Sequence, residues 1–331
     1  MIRAVIDTAA LGHNLSRVRA LAPGCRVLAV LKANAYGHGI VASARALAGA
    51  DGFAVARLGE AVAMRAAGFR NRIVVLAGVT SPEEMQYAAQ SAIELVVHQP
   101  EQLALLEAWP GGHRFRIWLK IDTGMGRLGF RSGDVAAAVA RLAHCSSVES
   151  PVLLMTHLAE AELRDSEFTR AQLRSFAQLT AGLPGERSIA NSAGLIGWPA
   201  ARADWLRPGL MLYGISPCAD RSAADLGLRP VMRLESRVIA VKELAAGDRV
   251  GYGGAWIAPR RARIALAAGG YGDGYPRNAA AGTPVLVNEM PAPLAGRVSM
   301  DMLTIDVTEL SRVTIGDPVV LWGRGVPVET V

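Results

Sequence analysis

The sequence predicts an α/β fold: a (β/α)8 TIM-like barrel followed by a C-terminal, mostly-β domain. Three observations carry this. From the start to about Asp220, short apolar runs alternate with Ala-rich stretches of helical period, the pattern of buried parallel strands joined by crossover helices. About eight such units fit a closed barrel better than an open doubly wound sheet, which usually has fewer strands. Beyond Asp220 the helical texture fades, and Val, Ile and Leu runs alternate with Gly and Pro turns, as in a separate β domain. The expected domains are 1–222 and 223–331.

In chain order, the strand candidates are Val27 to Leu31, Phe53 to Ala56, Ile73 to Ala77, Ile93 to Val97, Phe115 to Ile121, Val152 to His157, Arg187 to Ala190 and the segment around Trp205 to Arg207. Helices are expected between them, including Gly59 to Ala67, Pro100 to Trp109 and Phe168 to Leu183. One start is explicit in Ser81-Pro82-Glu83-Glu84: a capping serine, a proline at the first helical position and a glutamate placed to reciprocate. In the second part, Glu235 to Val241, Arg263 to Ala268 and Met302 to Val307 read as strands.

Composition excludes several function classes. The net charge of +6 arises from 35 Lys and Arg dispersed among 29 Asp and Glu; without basic runs this describes a surface attractive to small anions, not a nucleic-acid binder. Cys25, Cys145 and Cys218 are odd in number and far apart, which argues against a disulfide framework or a zinc knot and for a reducing, cytoplasmic setting. No export signal or membrane span is visible, because no basic stretch precedes an apolar core and no run approaches eighteen apolar residues.

The chemistry-bearing residues sit just past strand ends, the active-site face of a barrel. Lys32 closes the first apolar run and opens the loop Ala33 to Gly39. A lysine there is either ion-paired or a neutral amine able to form a Schiff base, and from the residues alone the ion pair is favoured. Asp122 to Arg127, His157, Asn191, Ser192, Arg207 and Gly209 follow other strands. The backbone N–H groups of Gly209 and Leu210, the Ser192 hydroxyl and the arginines make a phosphate cradle. No GxxxxGK[ST] is present, and the glycine-rich YGDGYP lies in the β domain, so a nucleotide loop is unsupported. His38 is read as ordering its loop, and His13, His98, His113 and His144 are assigned no chemistry.

Seven ordered blocks resemble the fold-type III alanine racemases: VLKANAYGHG (30–39), DTGMGRLG (122–129), ANS (190–192), WLRPGLMLYG (205–214), VGYGGAW (250–256), GYGDGYPR (270–277) and GRVSMDM (296–302). They span nearly the whole chain. The resemblance implies interconversion of L- and D-alanine, with pyridoxal 5'-phosphate held as a Schiff base on Lys32. Tyr36, His157, Asn191, Ser192, Gly209 and Leu210 would surround the cofactor, and Arg207 would donate to its pyridine nitrogen. An arginine partner leaves that nitrogen neutral and the ring a restrained electron sink.

Inversion of a stereocentre calls for an acid or base on each face. The resemblance implies Lys32 on one face and Tyr252 on the other, with Tyr252, Tyr271, Met300 and Asp301 supplied by a partner chain in a homodimer with shared active sites. Read without the resemblance, Tyr252 is an ordinary β-domain tyrosine. Arg127 would hold the substrate carboxylate or the cofactor's phenolic oxygen, and Trp256 and Met300 would line the entrance. Lys120 corresponds to a lysine carbamylated in some relatives, with an unmodified lysine in a salt bridge the equal alternative. No metal is implied.

The resembled family continues beyond the position of Val331, so the 223–331 domain reads as shortened at its end, with weaker cofactor retention expected. A related decarboxylase of basic amino acids would carry an acidic partner where Arg207 stands. A non-catalytic cofactor carrier would need neither Tyr252 nor the second domain.

Overall fold

The computed structural model describes residues 2–331. They divide into two units: Thr8–Arg229, and the N-terminal segment through Asp7 together with Pro230–Val331. We number the strands in chain order, beginning with β1 (Arg3–Ile6).

The first unit is a closed parallel barrel of β2 (Arg26–Val30), β3 (Gly52–Val55), β4 (Arg72–Val75), β5 (Glu94–Val97), β6 (Ile117–Lys120), β7 (Leu153–Met155), β8 (Arg187–Ser188) and β9 (Trp205–Leu206). These are the eight runs read from the sequence. Alternate residues fill the interior: Leu28, Val30, Ala54, Val74, Val96, Trp118, Leu153, Met155 and Trp205 form one buried cluster, the layered packing that makes such a barrel a core and not a pore. At the start of the strands, Glu94 takes a two-pronged ion pair from Arg72 (2.6 and 2.9 Å) and a hydrogen bond from Trp118 Nε1 (2.8 Å). Polar groups at the strand beginnings are thus satisfied within the protein, and the strand ends are left to the ligand site.

The expected Ser81 cap is present, with one change. Helix Pro82–Gln90 starts at Ser81, whose hydroxyl accepts from Glu84 N–H, but the Glu84 carboxylate returns to Thr80 N–H (2.6 Å), one residue earlier than a capping box places it. Similar reach-back bonds fix other strand-to-helix loops. Glu60 accepts from Ala56 and Arg57 N–H, Gln102 from His98 N–H, and Gln172 from Ala159 N–H.

The second unit is antiparallel. Its long central strand β10 (Met232–Leu244) pairs with β1, with β17 (Pro318–Trp322) and with β13 (Ala262–Ala268), and the sheet is extended by β14 (Pro284–Val287), β15 (Met290–Pro293) and β16 (Met302–Asp306). β11 (Arg249–Val250) and β12 (Trp256–Ile257) form a separate hairpin. The sequence reading put the break at 222/223 and the N-terminal segment in the barrel; the structure differs at both points. Arg3 pairs with Glu235 through backbone register and through side-chain charge. Residues 223–229 stay with the barrel because Asn14 holds Arg229 through its carbonyl (2.9 Å) and its amide (2.9 Å), while His13 Nε2 lies 2.8 Å from the Gly227 carbonyl. Among the described residues, no helix is long and apolar enough to cross a membrane, and no cluster of His, Cys, Asp and Glu is suited to a metal.

Candidate active site

Strand periodicity delivers the site. The interior parity that places Val30, Val96, Trp118, Met155 and Trp205 in the core continues two residues further as Lys32, His98, Lys120, His157 and Arg207. A cavity of about 540 Å³ opens there, lined entirely by the barrel unit, with Lys32, Tyr36, Lys120, Arg127, His157, Asn191, Ser192, Arg207, Gly209 and Leu210 among its walls. The barrel residues expected to hold cofactor or substrate, and Lys120, therefore line one cavity, while Asp122 does not.

The chain leaves β2 in an unusual way. Ala33, Asn34, Ala35 and Tyr36 all have φ near +54°, a left-handed turn of four L-residues in succession. Each such residue costs roughly 1–2 kcal/mol, so the turn persists only because its surroundings fix it. Tyr213 provides one wall: its ring packs against Tyr36 (4.7 Å) and His38 (4.6 Å), and its hydroxyl donates to the Val30 carbonyl (2.9 Å). His38 Nδ1 reaches the Ala35 and Tyr36 carbonyls (3.0 Å each), the loop-ordering role read from the sequence. Asn34 Oδ1 accepts from Ile40 N–H, and Glu60 from Asn34 N–H. The product of this geometry is the position of Tyr36, whose hydroxyl approaches Gly209 so closely that a Cβ there would stand 2.4 Å from it.

Gly209 N–H (2.9 Å) and Met211 N–H (3.3 Å) both donate to the Ser192 hydroxyl. Tyr36, Ser192 and the turn at Gly209 thus form a small polar cradle. Asn191 lines the cavity, but its side chain is occupied as a helix cap, accepting from Gly194 N–H (2.8 Å) and donating to the Leu158 carbonyl.

Electrostatically the cavity is cationic. Lys32, Lys120, Arg127 and Arg207 all face it, and among the described residues none of them has a carboxylate within ion-pair distance; Glu162, on the rim, is exposed. The ion pair favoured for Lys32 from the residues alone, and the salt bridge considered for Lys120, are both absent, because Asp122 turns back to accept from Gly124 and Gly126 N–H. Burial, then Arg127, lowers the Lys32 ammonium below its ordinary range. Burial, then Arg207, Arg127 and Lys32, brings Lys120 down to about 8. Burial brings Arg207 down to about 10, which leaves it charged at neutral pH.

Arg207 is the buried centre of the group. One terminal nitrogen donates to Ser188 Oγ, and the other to the Thr156 and Ile189 carbonyls and to His157 Nδ1 (3.2 Å). Its Nε has no acceptor among the described residues. A guanidinium has only donors, so His157 Nδ1 must be the bare nitrogen and Nε2 must carry the proton. Burial and the neighbouring cations, Arg207 first, push His157 down to about 2 and hold it neutral.

Tyr252, Tyr271, Met300 and Asp301 lie in the other unit. The sequence separates them widely, but backbone bonds join Gly269 to Asp301, Tyr271 to Ser299 and Gly272 to Met300, while Gly251 lies against Arg297. Tyr252 is 69% and Met300 59% exposed; Asp301 is exposed and Tyr271 half-buried under Arg277. From the sequence His98 is assigned no chemistry, and Gln172 is not singled out at all. His98 is buried at the level of Lys120, its Nε2 on the Ala77 carbonyl (2.9 Å); interior parity would have found it. Gln172 carries no such signal, since it sits in a helix and acts through loops.

A cationic, donor-lined cavity at the strand ends of a (β/α)8 barrel, with a separate β unit in the same chain, defines a barrel enzyme for small anionic ligands. Residues 6–217 match the family model for the alanine racemase N-terminal domain, and residues 231–331 that for the C-terminal domain. The chain is 50% identical over 330 residues to an alanine racemase of Nitrosococcus oceani, covering 99% of this chain and 92% of that protein. It is 47% identical to one of Pectobacterium carotovorum subsp. carotovorum, covering 99% and 91%. Among solved structures, the biosynthetic alanine racemase of Pseudomonas aeruginosa superposes with a TM-score of 0.96 at 46% identity, covering 100% of this chain and 92% of that one. That of Acinetobacter baumannii gives 0.92 at 36% identity, covering 99% and 92%. The chain belongs to the alanine racemase family.

The left-handed turn generates a prediction. Ala33 is exposed, so Ala33→Gly removes left-handed strain at the expense of unfolded-state entropy, for a net stabilisation of roughly 0.5–1 kcal/mol. Urea denaturation checks it; an unchanged or lower midpoint contradicts the strain assignment.

Proposed function

We propose that this protein interconverts L- and D-alanine with pyridoxal 5'-phosphate by a two-base mechanism, with Lys32 and the Tyr252 of a second copy as the two bases. The observation that carries the reading is the cationic barrel mouth, in which a half-buried lysine of lowered pKa has no anionic partner.

The residues present fit the cofactor. The cradle of Tyr36, Ser192 and Gly209, which a Cβ at Gly209 would fill, suits a phosphate. Lys32 suits an aldehyde, because a lowered pKa raises the share of free amine over that of an ordinary lysine. Arg207 Nε is a donor suited to a pyridine nitrogen that must stay unprotonated. When bound, the cofactor would supply a conjugated sink for the electrons released as the Cα–H bond of alanine breaks, and Arg207 would keep that sink modest. Arg127, exposed at the rim without an anionic partner, would take the substrate carboxylate.

Proton transfer falls to this chain's own groups. Lys32 Nζ takes the Cα proton of D-alanine and returns one to that face. The Tyr252 hydroxyl oxygen does the same on the face of L-alanine. His157 carries its proton on Nε2, because Arg207 occupies the other ring nitrogen, and is a donor for a phenolate oxygen. Because Tyr252 and Met300 are exposed together on the loops of the β unit, we assign them, with Tyr271 and Asp301, to the active site of a partner in a homodimer. Lys120 is the second reactive amine: a pKa of about 8 leaves part of it uncharged at neutral pH, able to add CO2 with loss of a proton, and the resulting carbamate would meet Arg127 with opposite charge.

Three outcomes are expected. In D2O, Tyr252→Phe should abolish racemisation yet retain deuterium exchange at Cα of D-alanine and lose it for L-alanine; equal exchange of both isomers rules out the two-base assignment. Lys32→Ala and Tyr252→Phe, each inactive, should regain activity when mixed and reassociated, since one mixed-dimer site then has both bases; mixtures that stay inactive argue against a shared site. Intact protein trapped in the presence of bicarbonate should show the mass of one CO2 that disappears in Lys120→Arg; no adduct at mildly alkaline pH removes the carbamate.

A further inference from the structure

We infer that Gln172 is a positioning residue for the reaction: from the helix Glu167–Leu179 it fixes the backbone from which His157 is presented. The inference rests on the role given to His157 above.

Gln172 is completely buried, and its carboxamide makes three hydrogen bonds, all to loops at the mouth of the barrel. Oε1 accepts from Ala159 N–H at 2.9 Å, and Nε2 donates to the His157 carbonyl at 3.0 Å and to Thr123 Oγ1 at 3.3 Å. Thr123 begins the loop that carries Arg127, and its hydroxyl lies 2.8 Å from that of Thr156, whose carbonyl receives Arg207. One side chain therefore joins the His157 segment to the Arg127 loop.

Strand β7 ends at Met155, so beyond Thr156 the barrel ladder no longer fixes the chain. Among the described residues, the imidazole of His157 has one hydrogen-bond partner, Arg207, at one ring nitrogen. A single bond at Nδ1 leaves the ring free to pivot about it, so the direction of Nε2–H is set by the backbone at 157 and 158. Gln172 holds that backbone on both sides, at the carbonyl of 157 and the amide of 159. The contact is a close one. A Cβ at Gly124 would stand 3.1 Å from Phe168 and in ordinary contact, 3.5 Å, with Gln172 Cγ, and Gly124 has a φ of +140°, so glycine suits the place where the Arg127 loop lies against this helix.

The chemistry of the three partners selects a carboxamide, which offers one acceptor and two donors in a plane. An ionised glutamate keeps the bond from Ala159 but turns lone pairs toward the His157 carbonyl. A methionine of similar length removes all three bonds: Ala159 N–H and the His157 carbonyl lose their partner, while Thr123 keeps Thr156. If Gln172 works through His157, removing both should be no worse than removing His157 alone.

The test uses the cofactor-loaded enzyme and compares Gln172→Met, Gln172→Glu, His157→Ala and the Gln172→Met/His157→Ala pair. The Gln172 variants should lose about tenfold or more in kcat with KM for alanine within about twofold, and the pair should be no slower than His157→Ala. Gln172→Glu preserves size and supplies the comparison if Gln172→Met does not fold. Losses that multiply in the pair overturn the inference, as does a wild-type kcat in the Gln172 variants with only melting temperature lowered, while His157→Ala is slow. A wild-type rate in His157→Ala defeats the role of His157 itself, and this inference with it.

Discussion

Burial of the Arg207 guanidinium at the mouth of the barrel is the constraint around which the site is built. A buried charge must be hydrogen-bonded or paired. Among the described residues no carboxylate is in contact; Ser188, the carbonyls of Thr156 and Ile189, and the bare nitrogen of His157 take the donors of the two terminal nitrogens instead, and Nε is left over. Because all these partners are neutral, the positive charge is not cancelled. It adds to burial, the larger cause, in holding His157 uncharged and in bringing Lys120 down to about 8. The same absence of anions makes the cavity attractive to a phosphate and a carboxylate, the two groups that pyridoxal phosphate and alanine would present.

The second organising feature is mechanical. A left-handed turn placed directly after Lys32 would unwind if exposed alone. Stacking on Tyr213, the carbonyl bonds of His38, and the reach of Glu60 to Asn34 hold it. Strain held in this way is a means of rigidity: Tyr36 is brought against Gly209 in a position that an ordinary helical turn after Lys32 would not give it. Gly209 is then required for space, since any side chain would collide with the Tyr36 hydroxyl.

Much of the fold was legible because barrel strands are buried on both faces and read as continuous apolar runs, and all eight appear where those runs lie. The N-terminal strand was not. Arg3–Ile6 is short and its burial pattern is mostly exposed, so nothing local distinguishes it from a barrel element; its place beside β10 is set by a partner more than two hundred residues away. The domain break was misread for a similar reason, as Arg229 is retained by Asn14 through a long-range pair of bonds. In the site, Lys32, Lys120, His157 and Arg207 were recoverable from their positions at strand ends. The ionic partners first supposed for the two lysines were not found, since charge pairing depends on which side chains the fold brings near, and Asp122 is spent on its own loop.

By itself the sequence determined the alternation that closes a barrel, the parity that carries reactive residues into its mouth, and the ordered motifs by which the family is recognised. These are local, because a strand's period and a motif's spacing are properties of neighbouring residues. Only the tertiary structure decided the ionisation of the site, the left-handed path that delivers Tyr36, and the attachment of Gln172 to His157. Each depends on groups from separate parts of the chain meeting in a space that excludes water, where desolvation and unmatched charge, not composition, set the outcome.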